Sequence, residues 1–152
     1  MTMAQLDWPA VLSLAISREE EAAATYHRLQ AIATDPATKQ LLLELEEEEK
    51  KHKKKLETLD QEDLLSSEVP EVEDLGLTDN LIAEPLSPEL SLQDGLIWAA
   101  QKEKQAALFY AAWAKKVRSP QLKRLFRFLE KQEKSHKLRL ELEYERQFLP
   151  ED

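Results

Sequence analysis

Two four-residue stretches hold the residues best suited to chemistry: Glu49-Lys50-Lys51-His52 and Glu133-Lys134-Ser135-His136. Each is a Glu-x-x-His on strongly helical sequence, so a carboxylate and an imidazole stand about one turn apart and can grip one cation together. Each also lies on a leucine stripe. Leu41, Leu45, Glu49, His52 and Leu56 step by 4, 4, 3 and 4, as do Leu125, Leu129, Glu133, His136 and Leu140. That spacing marks one helix face, the one an amphipathic helix turns toward its core. A Glu and a His on such a face are costly unless something compensates them, and a metal ion would.

Four helices are needed to position these motifs. Asp7 can cap a first helix running to about Ala33, with Pro9 tolerated in its first turn. Its inner stripe reads Leu12, Ala15, Glu19, Ala22, Tyr26. Asp35-Pro36 opens a second helix, to about Leu59, and the short turn between them makes an antiparallel hairpin over about 8–59. Across 60–90 the pattern breaks: Pro70, Gly76, Pro85 and Pro88 punctuate an acidic connection in which Leu75, Leu77, Leu81 and Ile82 could pack along the bundle. Ser91, with Asp94 three residues on, caps a third helix to about Arg118. Ser119-Pro120 opens a fourth to about Phe148, completing a second hairpin over about 91–148.

Bulk properties narrow the class. A chain of 152 residues is the size of one domain. With 42% hydrophobic and 34% charged residues and only 2 Gly, helices are favoured over sheets. The formal charge of −9 argues against nucleic acid or an anionic membrane as partner, but would not repel metal cations. With no cysteine, thiolate zinc, Cys-ligated iron–sulfur clusters and thiol catalysis are excluded together. No signal-peptide pattern and no membrane-length apolar run is visible, so a cytoplasmic location is expected.

The chain also matches itself. Shifted by 84 residues, 17 of the 50 positions in 11–60 are identical to 95–144. Composition alone would give roughly four or five. Glu19 falls on Glu103, Tyr26 on Tyr110, Glu49 on Glu133 and His52 on His136. At 1.5 Å per residue, Glu19, Glu49 and His52 all lie ~22–26 Å from their hairpin turn, and their mates do the same about the second turn. Four carboxylates and two imidazoles therefore converge at mid-bundle.

The repeat also separates chemistry from solvation. In the run Glu46 to Glu49, most carboxylates need only solvate a helix face, and Glu47 and Glu48 become Lys131 and Gln132 in the second half. Glu49 and His52 persist. His27 becomes Ala111 and reads as an ordinary side chain. Tyr26 and Tyr110 fit either core aromatics with satisfied hydroxyls or a functional role, as hydrogen-bond partners of a ligand carboxylate or in electron transfer. Glu46 and Glu130 also repeat and are placed at a helix flank; Trp8, Trp98 and Trp113 are read as packing.

The pattern Ala15-Ile16-x-x-Glu19-x-x-Ala22-x-x-x-Tyr26 with Leu45-x-x-x-Glu49-x-x-His52, repeated in the second half, resembles the rubrerythrin family over about 10–148. The resemblance implies an all-α, ferritin-like four-helix bundle, two repeated hairpins joined by one long crossover. It also implies roles: Glu19 and Glu103 as terminal ligands, Glu49 and Glu133 as bridges between two metals, His52 and His136 completing one shell each. Two features depart from the family. Full-length members carry a rubredoxin domain with iron on four cysteines, and these 152 residues hold none, which leaves the external electron donor unidentified. Where the family's third helix carries a further Glu, this chain has Ala106, leaving a symmetric six-ligand set. A homodimer is a family-level expectation.

Carboxylates with one imidazole per metal suit two Fe ions, with Mn as the alternative. The leading expectation is a non-haem di-iron oxidoreductase in which Fe(II) is oxidised by hydrogen peroxide or dioxygen, as peroxidase or ferroxidase. Glu49 and Glu133 are its central residues, with Tyr26 and Tyr110 beside them. The alternative is a non-catalytic iron-binding or iron-sensing module acting through a partner. A plain helical adaptor would require six inward polar residues by coincidence.

Overall fold

The computed structural model describes residues 8–59 and 89–149, of Trp8 the backbone alone. Four helices carry them: α1 (Trp8–Ile32), α2 (Pro36–Glu57), α3 (Leu92–Lys116) and α4 (Pro120–Phe148). The starts expected from cap residues hold wherever the chain is described. Asp35 accepts from the Ala37 amide at 2.8 Å, Ser91 from Asp94 at 3.1 Å and Ser119 from Leu122 at 3.3 Å. Each cap is extended, as a residue leading into a helix must be, and Pro36 and Pro120 follow where a missing N–H costs nothing. Asp7 and the apolar residues of the crossover lie outside the described residues.

Three helix ends fall one or two residues earlier than their sequence pattern suggested. α3 stops at Lys116 rather than Arg118 because Val117 and Ser119 are already extended, the latter as a residue before proline must be. α2 ends at Glu57 with Thr58 as its C-cap, and α1 at Ile32.

Two apolar clusters fill the ends of the bundle and show how the hairpins dock. In one, Val11, Ala15 and Leu56 from the start of α1 and the end of α2 meet Trp113, Leu122 and Phe126 around the α3–α4 turn. In the other, Leu29, Leu42 and Leu45 meet Leu96, Ala99 and Leu140. Helix α1 therefore runs antiparallel to α3, and α2 antiparallel to α4. Leu59 packs at the first end and Leu92 at the second, so the crossover joins opposite ends of the bundle, as ferritin-like connectivity requires. Arg146 ties the second end, reaching Asp35 at 3.1 Å and Glu143 at 2.5 Å.

The stripes drift slightly from their simplest form. Leu12, Leu41 and Leu125 are only half-buried, while their neighbours Val11, Leu42 and Phe126 are fully buried. In α2 and α4 the two steps of four before Glu49 and Glu133 overrun the ~7.2 residues of two helical turns, so the buried line falls one residue later there, on Leu42 and Phe126. Gly95 sits where the drift brings α3 close to α1: a Cβ there would fall 2.5 Å from a Leu29 methyl. No helix among the described residues is long and apolar enough to cross a membrane.

Candidate metal centre

Between the two apolar clusters the bundle is polar. Glu19, Glu49, Glu103 and Glu133 are all fully buried, and His52 and His136 nearly so. The six residues expected to converge do converge. Glu19, Glu49, His52 and Glu133 each offer one ligand atom within 4.8 Å of the others, and Glu49, Glu103, Glu133 and His136 form a second such set. Glu49 and Glu133 belong to both. The first hairpin supplies three members of one set and the second hairpin three of the other, in keeping with the repeat.

The imidazoles are stacked, their ring centres 5.7 Å apart and their planes 12° from parallel, with Nδ1 of each turned to the carboxylates. His52 Nδ1 stands 3.1 Å from Glu49 Oε1 and 3.2 Å from Glu133 Oε1; His136 Nδ1 stands 3.1 Å from the same Glu49 atom. Yet neither Nδ1, nor Glu49 Oε1, Glu133 Oε1 or Glu103 Oε2, has a well-directed hydrogen bond. Buried polar atoms are rarely left this way. Several potential ligand atoms crowding one small volume without well-directed hydrogen bonds is the arrangement a coordinated cation would satisfy. The donor set of carboxylates and imidazoles without thiolate suits a divalent first-row metal.

Both tyrosines reach across the bundle. Tyr26 on α1 donates to Glu103 Oε1 on α3 at 2.5 Å, and Tyr110 on α3 donates to Glu19 Oε1 on α1 at 2.6 Å. Each hydroxyl is thus satisfied, and by a carboxylate of the cluster. Burial and the adjacent carboxylates, Glu103 for Tyr26 and Glu19 for Tyr110, hold both phenols well above their usual pKa, so each stays a proton donor. Tyr26→Phe and Tyr110→Phe each leave a buried carboxylate oxygen without its donor. A loss of ~1–3 kcal/mol in chemical denaturation of the metal-free protein is expected for either.

Sequence reasoning missed Arg18. Its guanidinium is only 5% exposed and lies inside the carboxylate cluster. Nη1 is 3.2 Å from Glu19 Oε2 and 2.5 Å from Glu49 Oε2, and also contacts Glu133 Oε2; Nη2 is 2.9 Å from Glu103 Oε1. Burial opposes its charge, but Glu103, Glu49 and Glu19 outweigh that and raise its pKa well above the ordinary value. Burial likewise opposes ionisation of Glu49 and Glu103, but Arg18 together with the neighbouring imidazoles outweighs it, so both carboxyls titrate below their usual range. The available signal was spacing: Arg18 is three residues after Ala15 and four before Ala22, at the flank of the inward stripe beside Glu19.

A second omission lies behind the imidazoles. His52 Nε2 faces Gln132 Oε1 at 3.4 Å, and His136 Nε2 stands 3.2 Å from Glu48 Oε2. Glu48 and Gln132 are mates in the repeat, so the substitution that suggested a merely solvated Glu48 instead gives the two imidazoles different backing. Partners behind a ligating imidazole tune its basicity. Glu48→Gln should therefore weaken divalent metal binding at the His136 set by ~10-fold in calorimetric titration, leaving the other set nearly unchanged.

The remaining polar candidates stay outside the cluster. Glu46, at the α1–α2 edge, is held by Gln30 at 2.7 Å and Lys50 at 2.8 Å, and Glu130 by Arg127 at 2.8 Å and Lys134 at 2.7 Å. His27 is exposed, 3.2 Å from Glu46. Ala106 is fully buried in the apolar cluster around Phe109 and Phe126. Trp113 packs in that same cluster, while Trp98 lies half-buried beneath Lys102, whose Nζ is 4.8 Å from the ring centroid.

Fold and site together define a ferritin-like four-helix bundle with a buried carboxylate–imidazole cluster able to hold a metal. The rubrerythrin family model matches residues 10–145, and the chain belongs to that family. The chain is also similar to a solved structure, the hypothetical protein Pfu-1136390-001 from Pyrococcus furiosus. Identity is 31%, the TM-score 0.69, and the match covers 89% of this chain and 86% of that one. No curated protein sequence matches it.

Proposed function

We propose that this protein is a non-haem di-iron oxidoreductase of the peroxidase or ferroxidase kind. The observation that carries the reading is the pair of four-residue ligand sets sharing Glu49 and Glu133, with buried donor atoms left without hydrogen bonds. Glu19 with His52 and Glu103 with His136 would each complete one metal's ligands. Two Fe(II) ions held there supply the two electrons that, with two protons, reduce hydrogen peroxide to two waters, or that pass to dioxygen.

The protein's own part is binding, orientation and charge. Tyr26 and Tyr110 fix Glu103 and Glu19 from across the bundle, so each outer carboxylate presents its other oxygen inward. The apolar clusters at both ends keep bulk water from the cluster, which strengthens every electrostatic interaction within it. Imidazoles that bind metal must shed the protons they hold in the metal-free protein, which puts acid at the site as metal arrives.

Anaerobic Fe(II) titration of the metal-free protein, followed by stopped-flow addition of peroxide or air, tests the proposal. Saturation near two irons per chain with fast oxidation by peroxide is the expected peroxidase result. Faster reaction with air would assign ferroxidase instead, and absence of binding would refute both. A second reading, a metal-binding or metal-sensing module without turnover, draws support from Arg18, which compensates the carboxylates when no metal is bound. Tight binding with no repeated turnover, whatever the oxidant and reductant, would select it.

A further inference from the structure

We propose that Arg18 is the resident cation of the metal-free site, and that a divalent metal binds by displacing its guanidinium. The inference rests on the metal reading above and adds to it an internal competitor. One guanidinium touches all four buried carboxylates, through Nη1 to Glu19, Glu49 and Glu133 and through Nη2 to Glu103. Each four-residue ligand set contains three of those carboxylates. Arg18 therefore draws on the same four carboxylates that a metal would need, at Glu49, Glu133 and Glu103 through the oxygen opposite the one left without a hydrogen bond, and it places a positive charge beside both ligand sets. In a site shielded from water that repulsion is poorly screened. Arginine and metal are alternatives.

The side chain has a way out. Arg18 lines a cleft between α1 and α3 together with Glu21, Thr25, Trp98 and Lys102. The repeat supplies a contrast: position 102, the mate of 18, holds a lysine that lies against Trp98 on the cleft wall rather than among the carboxylates. A cation at this helical position can thus sit outside the cluster, and only one of the two mates sits inside. Metal affinity is then set by a single arginine as well as by the ligands, and the metal-free protein is a stable state rather than a collapsed one.

The test uses the full chain, with Mn(II) as an air-stable probe. Affinities are measured by calorimetric titration and melting temperatures with and without Mn(II), for the wild type, Arg18→Gln, Arg18→Lys and Lys102→Gln. Arg18→Gln is expected to bind Mn(II) about 100-fold tighter, the order of effect of breaking a buried ion pair in the metal-free state. Its metal-free form should melt lower than the wild type, while the loaded forms melt alike. Arg18→Lys, which keeps the charge but cannot span all four carboxylates, should fall between, and Lys102→Gln should stay within ~2-fold of the wild type. Equal or weaker binding by Arg18→Gln would overturn the proposal, because Arg18 would then be supporting the ligands. If Arg18→Gln folds only with Mn(II), the proposal stands. If it folds in neither condition, Arg18→Lys decides: tighter binding supports competition, and equal or weaker binding refutes it. No Mn(II) or Fe(II) binding by the wild type would remove the metal reading itself, an outcome distinct from any change at Arg18.

Discussion

Glu49→Ala and Glu133→Ala are each expected to abolish tight binding of two metals, and with it any turnover with peroxide or air, in a protein that still folds. Both residues belong to both ligand sets, so either change removes one ligand from each metal at once. A change at Glu19 or Glu103 touches one set only. Loss of a partner behind a ligand already costs about 10–100-fold in metal affinity, and loss of a shared ligand should exceed that at both positions. The fold should survive because the metal-free cluster brings three cationic groups, Arg18 and the two imidazoles, to four carboxyls; removing one carboxyl leaves the charges no worse matched. Circular dichroism and calorimetric titration on the same samples check both halves. Two metals bound with wild-type affinity in either variant would refute the shared-ligand reading.

The second large effect is on pH. Burial opposes protonation of both imidazoles, but Glu19 and Glu49 raise His52 to about 9, and Glu103 and Glu49 raise His136 to about 10. The ordinary value is 6.5, so the folded, metal-free protein holds these protons more tightly than the unfolded chain. Their stabilising contribution is complete below about pH 6.5 and is lost as pH rises through 9 to 10. Each tenfold change in proton affinity is worth ~1.4 kcal/mol, so the loss across that window should reach several kcal/mol. Metal binding must run the other way, since ligation needs the neutral ring. Apparent affinity should rise about tenfold per pH unit for each metal between pH 6.5 and 8, with about one proton released per metal. Thermal melts of the metal-free protein and Mn(II) titrations in buffers of different ionisation heat would test the two slopes. A metal-free protein that grows more stable toward pH 9 would show that the imidazoles are neutral there.

Much of this architecture was legible because it is periodic. Asp35-Pro36, Ser91 and Ser119-Pro120 mark helix starts through local hydrogen bonding, which needs no knowledge of the rest of the chain. The six converging residues were legible for another reason: the 84-residue repeat kept Glu49 and His52 while its neighbours changed. Arg18 was not legible in that way. It has a lysine for a mate, and its spacing from Ala15 and Ala22 puts it near the inward face without saying that the guanidinium turns in; that depends on Glu133 and Glu103 from the other hairpin. Glu48 was misread through the same logic that found Glu49, because a position that differs between the halves can still face the site in both. The direction of the tyrosines is likewise tertiary. Tyr26 lies two turns from Glu19 on its own helix, yet its hydroxyl finds Glu103 on another.

Each ligand set borrows its fourth member, Glu133 or Glu49, from the opposite hairpin. A cation in either position is therefore a crosslink, and its binding free energy counts toward holding the two halves together. One hairpin alone carries two carboxylates and one imidazole, short of either set, and could regenerate both only by meeting a second copy of itself across a two-fold axis. The covalent connection turns that bimolecular meeting into an intramolecular one, with an effective concentration set by the chain rather than by the cell. In this sense the chain is a symmetric dimer joined end to end, and Arg18 and Glu48 mark where its halves have since ceased to be equivalent.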